Sequence, residues 1–163
     1  MISKIISGAQ TGVDRGALDA AIEVSCPYGG WIPKGRRSED GGVPDRYTAL
    51  IESPSTNYLK RTEQNVTDSD ATLILCHGEP TGGTLRTIEF CRKHNRPFFI
   101  DDPDKPIQAD RGLEVHYWLE SEFGTKPIVL NVAGPRESKC PGIQESARKY
   151  IAAFLADREM PNA

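Results

Sequence analysis

The sequence has no excess of basic residues and no long apolar run, and both absences narrow the possible functions. Twenty Lys and Arg residues stand against 23 Asp and Glu residues, a net charge of −3 at pH 7. Proteins that bind nucleic acid or membrane surfaces normally carry a basic face, so neither partner is predicted. No apolar segment approaches the roughly 20 residues that span a bilayer, and no signal-peptide pattern precedes the first strand. We therefore expect a soluble, cytoplasmic protein.

Cysteine is scarce, and the cysteines do not form a Cys-x-x-Cys pair. The four thiols are widely spaced: Cys26, Cys76, Cys91 and Cys140. Such spacing does not predict a disulfide framework. His77 follows Cys76, and His94 follows Cys91 by three residues, but this spacing matches no standard zinc pattern. Because Cys76 ends an apolar strand and Cys91 lies on the inward face of a helix, we expect buried thiols and no metal site.

Apolar strand patterns alternate with amphipathic helix patterns along a chain of 163 residues, the length of one domain covering residues 1–163. Strands are predicted at residues 4–6, 26–32, 71–75, 96–100 and 128–132, with a long functional loop at 33–54. Helices are predicted at residues 13–24, 84–94, 107–123 and 142–157, and at 55–66 behind an N-cap at Ser55 or Thr56. In the helices at 13–24 and 84–94, we expect Ile22 and Leu85 to face the core. This order predicts a single-domain α/β fold, Rossmann-like and doubly wound, with a mainly parallel sheet and helices on both faces.

Three of these strands break into a glycine loop and then into a helix. The loops cover residues 7–15, 77–84 and 133–138. The N–H groups and the dipole of a helix N-terminus suit an anion such as phosphate, and parallel strands bring such loops to one edge of the sheet. None of the loops matches G-x-G-x-x-G or the P-loop, which disfavours dinucleotide oxidoreduction and ATPase chemistry. The pattern predicts one phosphate crevice.

The candidate ligand contacts fall into four groups. Backbone donors are Gly8, Gly12, Gly82, Gly83 and Gly134, and hydroxyl donors are Thr11, Thr84 and Ser138. Charge neutralisation is assigned to Lys34, Arg36 and Arg136, and recognition of a sugar or base to Gln10 and Asp14. For residues 33–46, a solvated charge run in which Glu39 and Asp40 compensate the basic residues is the alternative.

The helix predicted at residues 55–66 has a thin apolar stripe, which leaves two interpretations open. Arg61 and Asn65 are four residues apart and share a helix face, whereas Glu63 points elsewhere. The shared face can serve a structural ion pair or an oligomer contact, or it can face the crevice. A homo-oligomer, either a dimer or a tetramer, is expected on this basis.

Five segments together resemble a known family. They are SGAQTGVDR (7–15), GGWIPKGR (29–36), RTEQNVTDSD (61–70), TGGT (81–84) and NVAGPRES (131–138). In this order they are similar to the putative molybdenum carrier proteins, a circularly permuted YpsA-like branch of the SLOG superfamily of Rossmann-like nucleotide binders. The resemblance covers nearly the whole chain. It implies a carrier or binding protein whose ligand is a nucleotide or the phosphate-bearing molybdenum cofactor.

Lonely Guy phosphoribohydrolases are relatives in the same superfamily, and they suggest the alternative function. Their motif is Pro-Gly-Gly-x-Gly-Thr-x-x-Glu. Here Thr81 replaces the proline, the third glycine is missing, and the spacing to Glu89 differs. The alternative is thus a nucleotide N-glycosidase acting on nucleoside monophosphates, with Glu89 and Asp14 as candidate catalytic residues. No nucleophile and base stand out in the sequence, which favours binding over catalysis.

Overall fold

The structure is a computed structural model that describes residues 1–105 and 113–156. These residues form strands and helices that mostly alternate. The strands are β1 (Ile2–Ile6), β2 (Tyr28–Ile32), β3 (Leu50–Glu52), β4 (Ala71–Leu75), β5 (Phe98–Asp101) and β6 (Ile128–Ala133). The helices are α1 (Val13–Glu23), α2 (Tyr58–Thr67), α3 (Gly82–Lys93), α4 (Leu113–Phe123) and α5 (Ile143–Ala156). The predicted helical residues 107–112 and 157 lie outside the described part of the chain.

The strands form one sheet in the order β3-β2-β1-β6-β4-β5, and each neighbouring pair is parallel. From β1 the chain winds outward through β2 to β3. It then crosses to β4 and β5 on the other side, and β6 closes the centre between β1 and β4. The predicted Rossmann-like, doubly wound α/β fold is confirmed, and its winding direction changes beside β6. Ligands of such sheets bind at this switch point, beyond the carboxyl ends of the strands.

Helices cover both faces of the sheet, as the alternation of side chains along β4 shows. Leu73 and Leu75 belong to the large core formed with α1, α4 and α5. Ile74 and Cys76 point to the other face and pack with Ile88 of α3. Successive side chains of a strand point to opposite faces, so a strand that is buried along its whole length, as β4 is, packs against both layers.

Three local predictions are wrong, two of them because the inward stripe of a helix is not purely apolar. Leu85 and Ile22 were expected to face the core but are 40% and 41% exposed. In α3 the buried stripe runs through two threonines, Thr84 and Thr87, before Ile88 and Cys91. The N-cap of α2 is Asn57, whose side chain accepts a hydrogen bond from the Leu59 N–H at 2.9 Å, and not Ser55 or Thr56.

The segment predicted as a long loop contains the short strand β3 and a structured stretch between β2 and β3. We call this stretch, residues 33–49, the strap. Arg15 of α1 anchors it, because its guanidinium donates to the carboxylate of Asp40 and to the Gly42 carbonyl. The hydrogen bond from Arg15 lowers the pKa of Asp40. Tyr47 of the strap is fully buried in one apolar cluster with Leu18 of α1. The strap is therefore a fixed part of the fold.

None of the helices in residues 1–105 and 113–156 is long and apolar enough to cross a bilayer.

Candidate functional site

A cavity of about 720 Å³ opens between the carboxyl ends of the central strands, α2 and the start of α3. This volume lies within the range of about 300 to 1,000 Å³ that is usual for small-molecule sites. The predicted ligand residues that line it are Gly8, Gln10, Asp14, Gly82, Gly83, Thr84, Gly134 and Arg136. The structure therefore brings the three glycine loops together at one cavity. Their contact with a ligand stays a prediction.

The remaining predicted residues lie elsewhere. Lys34 is exposed and is not among the cavity residues. Arg36 turns its guanidinium toward the strap itself and donates to the carbonyl of Pro44 at 2.9 Å. The N–H of Gly12 donates to Gln144 Oε1 at 3.1 Å, so it is occupied by α5. The positive charge of the cavity lining therefore comes from cations other than Lys34 and Arg36.

Arg61 is the cation that lies deepest in the cavity wall. Its side chain is 12% exposed, and Nη1 lies 3.4 Å from Oδ2 of Asp14, which is buried. Within the described residues, no acceptor lies within hydrogen-bond distance of the buried Arg61 Nε. One long contact and an unpartnered Nε leave this guanidinium with donors to offer. Of the two interpretations of the Arg61 face, the structure places Arg61 at the crevice and also in an ion pair.

Gly8 makes room for this arrangement. A Cβ at Gly8 would lie 1.4 Å from Arg61 Nη1 and 3.0 Å from Asp14 Oδ2. Only a residue without a side chain lets the guanidinium lie against the first glycine loop. Asp14 also accepts the Gln10 N–H at 3.2 Å, which closes that loop. Burial raises the pKa of Asp14, and the nearby Arg61 opposes the rise.

Asn65 and Glu63 hold α2 to its neighbours, and Asn65 also lines the cavity. The Asn65 side chain accepts a hydrogen bond from the Trp31 N–H at 2.8 Å and donates one to the Trp31 carbonyl at 3.0 Å. These two bonds hold α2 against β2. Glu63 lies 2.6 Å from Lys93 Nζ and 2.7 Å from His94 Nε2 on α3 and its C-cap. The hydrogen bond from Lys93 and, to a smaller extent, that from His94 lower the pKa of Glu63.

Glu39 of the strap fills the space between the first and third glycine loops. Its carboxylate accepts hydrogen bonds from the hydroxyl of Thr11 and from the N–H and hydroxyl of Ser138. Arg136 Nε lies 3.6 Å away. The hydrogen bonds from Ser138 and Thr11 lower the pKa of Glu39. Two predicted phosphate contacts, Thr11 and Ser138, are therefore engaged by a carboxylate of the chain itself.

A group that could bind a metal ion lies at the rim of the cavity. His77 Nδ1 is 2.8 Å from Asp102, and His77 Nε2 is 3.1 Å from Asp104. In the described residues, ligand atoms of these three side chains lie within 4.8 Å of one another. His94 does not belong to this group and contacts Glu63 instead. The two aspartates follow β5, and only the pairing of β4 with β5 brings them to His77.

Sequence reasoning missed several cavity residues. Lys139 and Cys140 line it, and their place directly after the third glycine loop was a usable signal. Tyr58 and Glu39 also line it, but both are remote in sequence from the glycine loops. Their position depends on how α2 and the strap pack, which no local pattern specifies.

Glu89, the other catalytic candidate, is exposed on α3, is not among the cavity residues, and pairs with Arg86 at 2.8 Å. Glu89→Gln is therefore expected to leave ligand affinity within about twofold of the parent, because Glu89 does not line the cavity and the loss of an exposed ion pair has little effect on the fold. Isothermal titration with the best ligand of the panel described below measures this. A tenfold loss of ligand affinity would show that Glu89 belongs to the ligand site.

A smaller hollow of about 320 Å³ lies on the α1 and α5 side. Its lining includes three carboxylates, those of Asp19, Glu137 and Glu145, and one cation, Arg148. Arg148 already pairs with Glu23 and Glu145. An anionic ligand is not favoured there.

Comparison with known proteins identifies the family of the chain. Residues 5–155 match the model of the circularly permutated YpsA SLOG family. The chain belongs to this family. The crystal structure of a putative molybdenum carrier protein from Syntrophus aciditrophicus SB is 45% identical, with a TM-score of 0.87 over 94% of this chain and 95% of that one. A comparison with curated proteins gives no match. The family resemblance derived from the sequence is confirmed.

Proposed function

We propose that this cpYpsA-type SLOG protein binds a small molecule bearing a phosphate or similar oxyanion in the 720 Å³ cavity. The observation that carries the proposal is the convergence of three glycine loops on one cavity that Arg61 also lines. Arg136 and Lys139 add positive charge to the same wall. Guanidinium groups and backbone N–H groups are the usual partners of phosphate oxygens.

The ligand class within this proposal is a molybdenum-related compound or a nucleotide. The similar protein from S. aciditrophicus is described as a putative molybdenum carrier, which supports a carrier role. Molybdenum cofactor bears a phosphate, and a nucleoside monophosphate has a comparable anionic end. Both would place that end among the glycine loops. Homo-oligomer formation remains a prediction from the polar helix α2.

One observation favours the alternative, a nucleotide N-glycosidase. Asp14 is a buried carboxylate with a raised pKa that lines the cavity, as catalytic carboxylates often do. Two features favour binding instead. Asp14 is already engaged by Arg61 and by the Gln10 N–H. Burial raises the pKa values of Cys76 and Cys140, which makes the two cavity thiols poor nucleophiles at neutral pH.

A thermal-shift panel tests the proposal. The compounds are nucleoside monophosphates and molybdenum cofactor, each with its dephosphorylated counterpart, and the inorganic anions phosphate and molybdate. A ligand at 100 times its Kd stabilises the folded state by about 2.7 kcal/mol, which corresponds to a rise in Tm of about 5 to 10 °C for a chain of this size. The absence of a shift with all of these compounds would contradict the proposal. Release of free base from a nucleoside monophosphate would establish the enzymatic alternative.

A further inference from the structure

We propose that the donors of Thr11, Arg136 and Ser138 form an oxyanion subsite, and that the Glu39 carboxylate is its intramolecular occupant, which a ligand phosphate or molybdate displaces. The inference rests on the proposed function and deepens it. It names the place in the cavity wall where the anionic end of the ligand binds, and the group with which that end competes.

The donors around Glu39 are of the kind that holds a tetrahedral oxyanion. One carboxylate oxygen, Oε1, faces the Ser138 N–H at 3.2 Å and the Thr11 hydroxyl. The other, Oε2, accepts the Ser138 hydroxyl at 2.5 Å. Backbone N–H, hydroxyl and guanidinium donors together make up a common phosphate-binding set. A carboxylate in this position stands in for two oxygens of a phosphate.

The donors are held in place by contacts that do not involve Glu39. The Thr11 hydroxyl oxygen accepts the Glu137 N–H at 3.2 Å, which ties the first glycine loop to the third and leaves the hydroxyl hydrogen to donate outward. The carbonyl of Pro135 accepts the Val13 N–H at 3.2 Å, a second tie between the same loops. The subsite therefore keeps its shape when its occupant changes.

Glu39 can leave without detaching the strap. Its neighbour Asp40 holds the strap to Arg15, with 2.9 Å between Oδ1 and Nη2. The Glu39 N–H donates to Gln10 Oε1 at 3.0 Å, so the backbone is held independently of the carboxylate. Only rotation about side-chain bonds is needed to move the carboxylate toward solvent. These rotations are fast compared with loop motions.

Arg136 indicates that the subsite suits a more highly charged anion than a carboxylate. Its Nε lies 3.6 Å from Glu39 Oε2, beyond a good hydrogen bond, and its side chain is 47% exposed. A phosphate, with more oxygens and charge, has acceptors for this guanidinium as well as for Thr11 and Ser138. Gln10, Glu39 and Arg136 all line the cavity, so a ligand bound here extends toward Arg61.

The test compares Glu39→Gln and Glu39→Ala with the parent by isothermal titration with inorganic phosphate and with molybdate. Glu79→Gln is the matched control, because Glu79 is an exposed carboxylate of the same cavity lining outside the subsite. Removal of the competing carboxylate is expected to tighten oxyanion binding at least tenfold in both Glu39 variants, against about twofold or less in Glu79→Gln. Adding Thr11→Val to Glu39→Gln is expected to abolish the gain. Circular dichroism verifies folding of each variant.

The outcomes separate the inference from the proposed function. If the parent binds a nucleotide or molybdenum cofactor but the Glu39 variants gain nothing over Glu79→Gln, the subsite is wrong and the cavity function stands. If the Glu39 variants gain affinity for inorganic oxyanions while no organic phosphate binds any variant, the subsite stands and the cavity function fails. A gain that persists in the presence of Thr11→Val places the anion elsewhere and overturns the inference.

Discussion

Gly12→Ala is expected to destabilise the protein by about 2 to 6 kcal/mol, the sum of about 1 to 3 for backbone strain and about 1 to 3 for overpacking. Gly12 has φ 83° and ψ −135°, a conformation open essentially to glycine alone. A Cβ there would lie 2.3 Å from the Pro135 carbonyl oxygen and 2.8 Å from two backbone atoms of Arg136. These neighbours are main-chain atoms, so they cannot rotate away. Urea unfolding followed by circular dichroism measures the loss.

Gly83→Ala is the matched control for Gly12→Ala. Gly83 also belongs to a glycine loop, but a Cβ there meets nothing within 4 Å of the described chain, and the residue lies in α3. Alanine is favoured over glycine in a helix by up to about 1 kcal/mol, so the control is expected to be as stable as the parent or more so. Equal losses for the two variants would contradict the tight approach of the first and third glycine loops at Gly12.

The part of the fold that was predicted from the sequence depends on local patterns. The alternation in β4, with Leu73 and Leu75 on one face and Ile74 on the other, is a property of neighbouring residues and needs no tertiary information. The convergence of the glycine loops follows from parallel strands, since their carboxyl ends share one edge. Both the architecture and the position of the cavity were therefore accessible.

The side chains that meet within the cavity could not be predicted from local sequence patterns in the same way. Glu39 reaches Ser138 across 99 residues, and Arg61 reaches Asp14 across 47. Such contacts depend on where the strap and α2 pack, and a charge pattern does not distinguish them from solvated pairs. Lys34 and Arg36 show the same limit from the other side, because proximity to a glycine in sequence suggested phosphate contact, whereas neither residue is among those that line the cavity and Arg36 donates to the Pro44 carbonyl.

Arg61→Ala is expected to weaken binding of an anionic ligand by about 10- to 150-fold, the range of one charge-assisted hydrogen bond of about 1.5 to 3 kcal/mol. It should also destabilise the protein by about 3 to 5 kcal/mol at pH 7, because it leaves the buried Asp14 carboxylate without its counter-charge. Lys60→Ala is the control, since Lys60 is an exposed cation on the same helix. Titration calorimetry and urea unfolding measure the two effects, and equal results for the two variants would exclude Arg61 from the site.

The pH dependence of this variant and a double substitution separate the ion pair from the ligand contact. Burial raises the Asp14 pKa above its ordinary value of 3.8, and loss of Arg61 removes the opposing charge. A carboxyl group whose pKa is higher in the folded state than in the unfolded state stabilises the fold below its unfolded-state pKa, and this stabilisation is lost as the pH rises. The stability deficit of Arg61→Ala should therefore be small near pH 4 and grow toward pH 7. In Asp14→Asn/Arg61→Ala no buried charge remains, and most of the lost stability should return, whereas ligand affinity should stay low. Recovery of both would mean that Arg61 acts only by supporting Asp14, and recovery of neither would mean that Arg61 packing, not charge, stabilises α2.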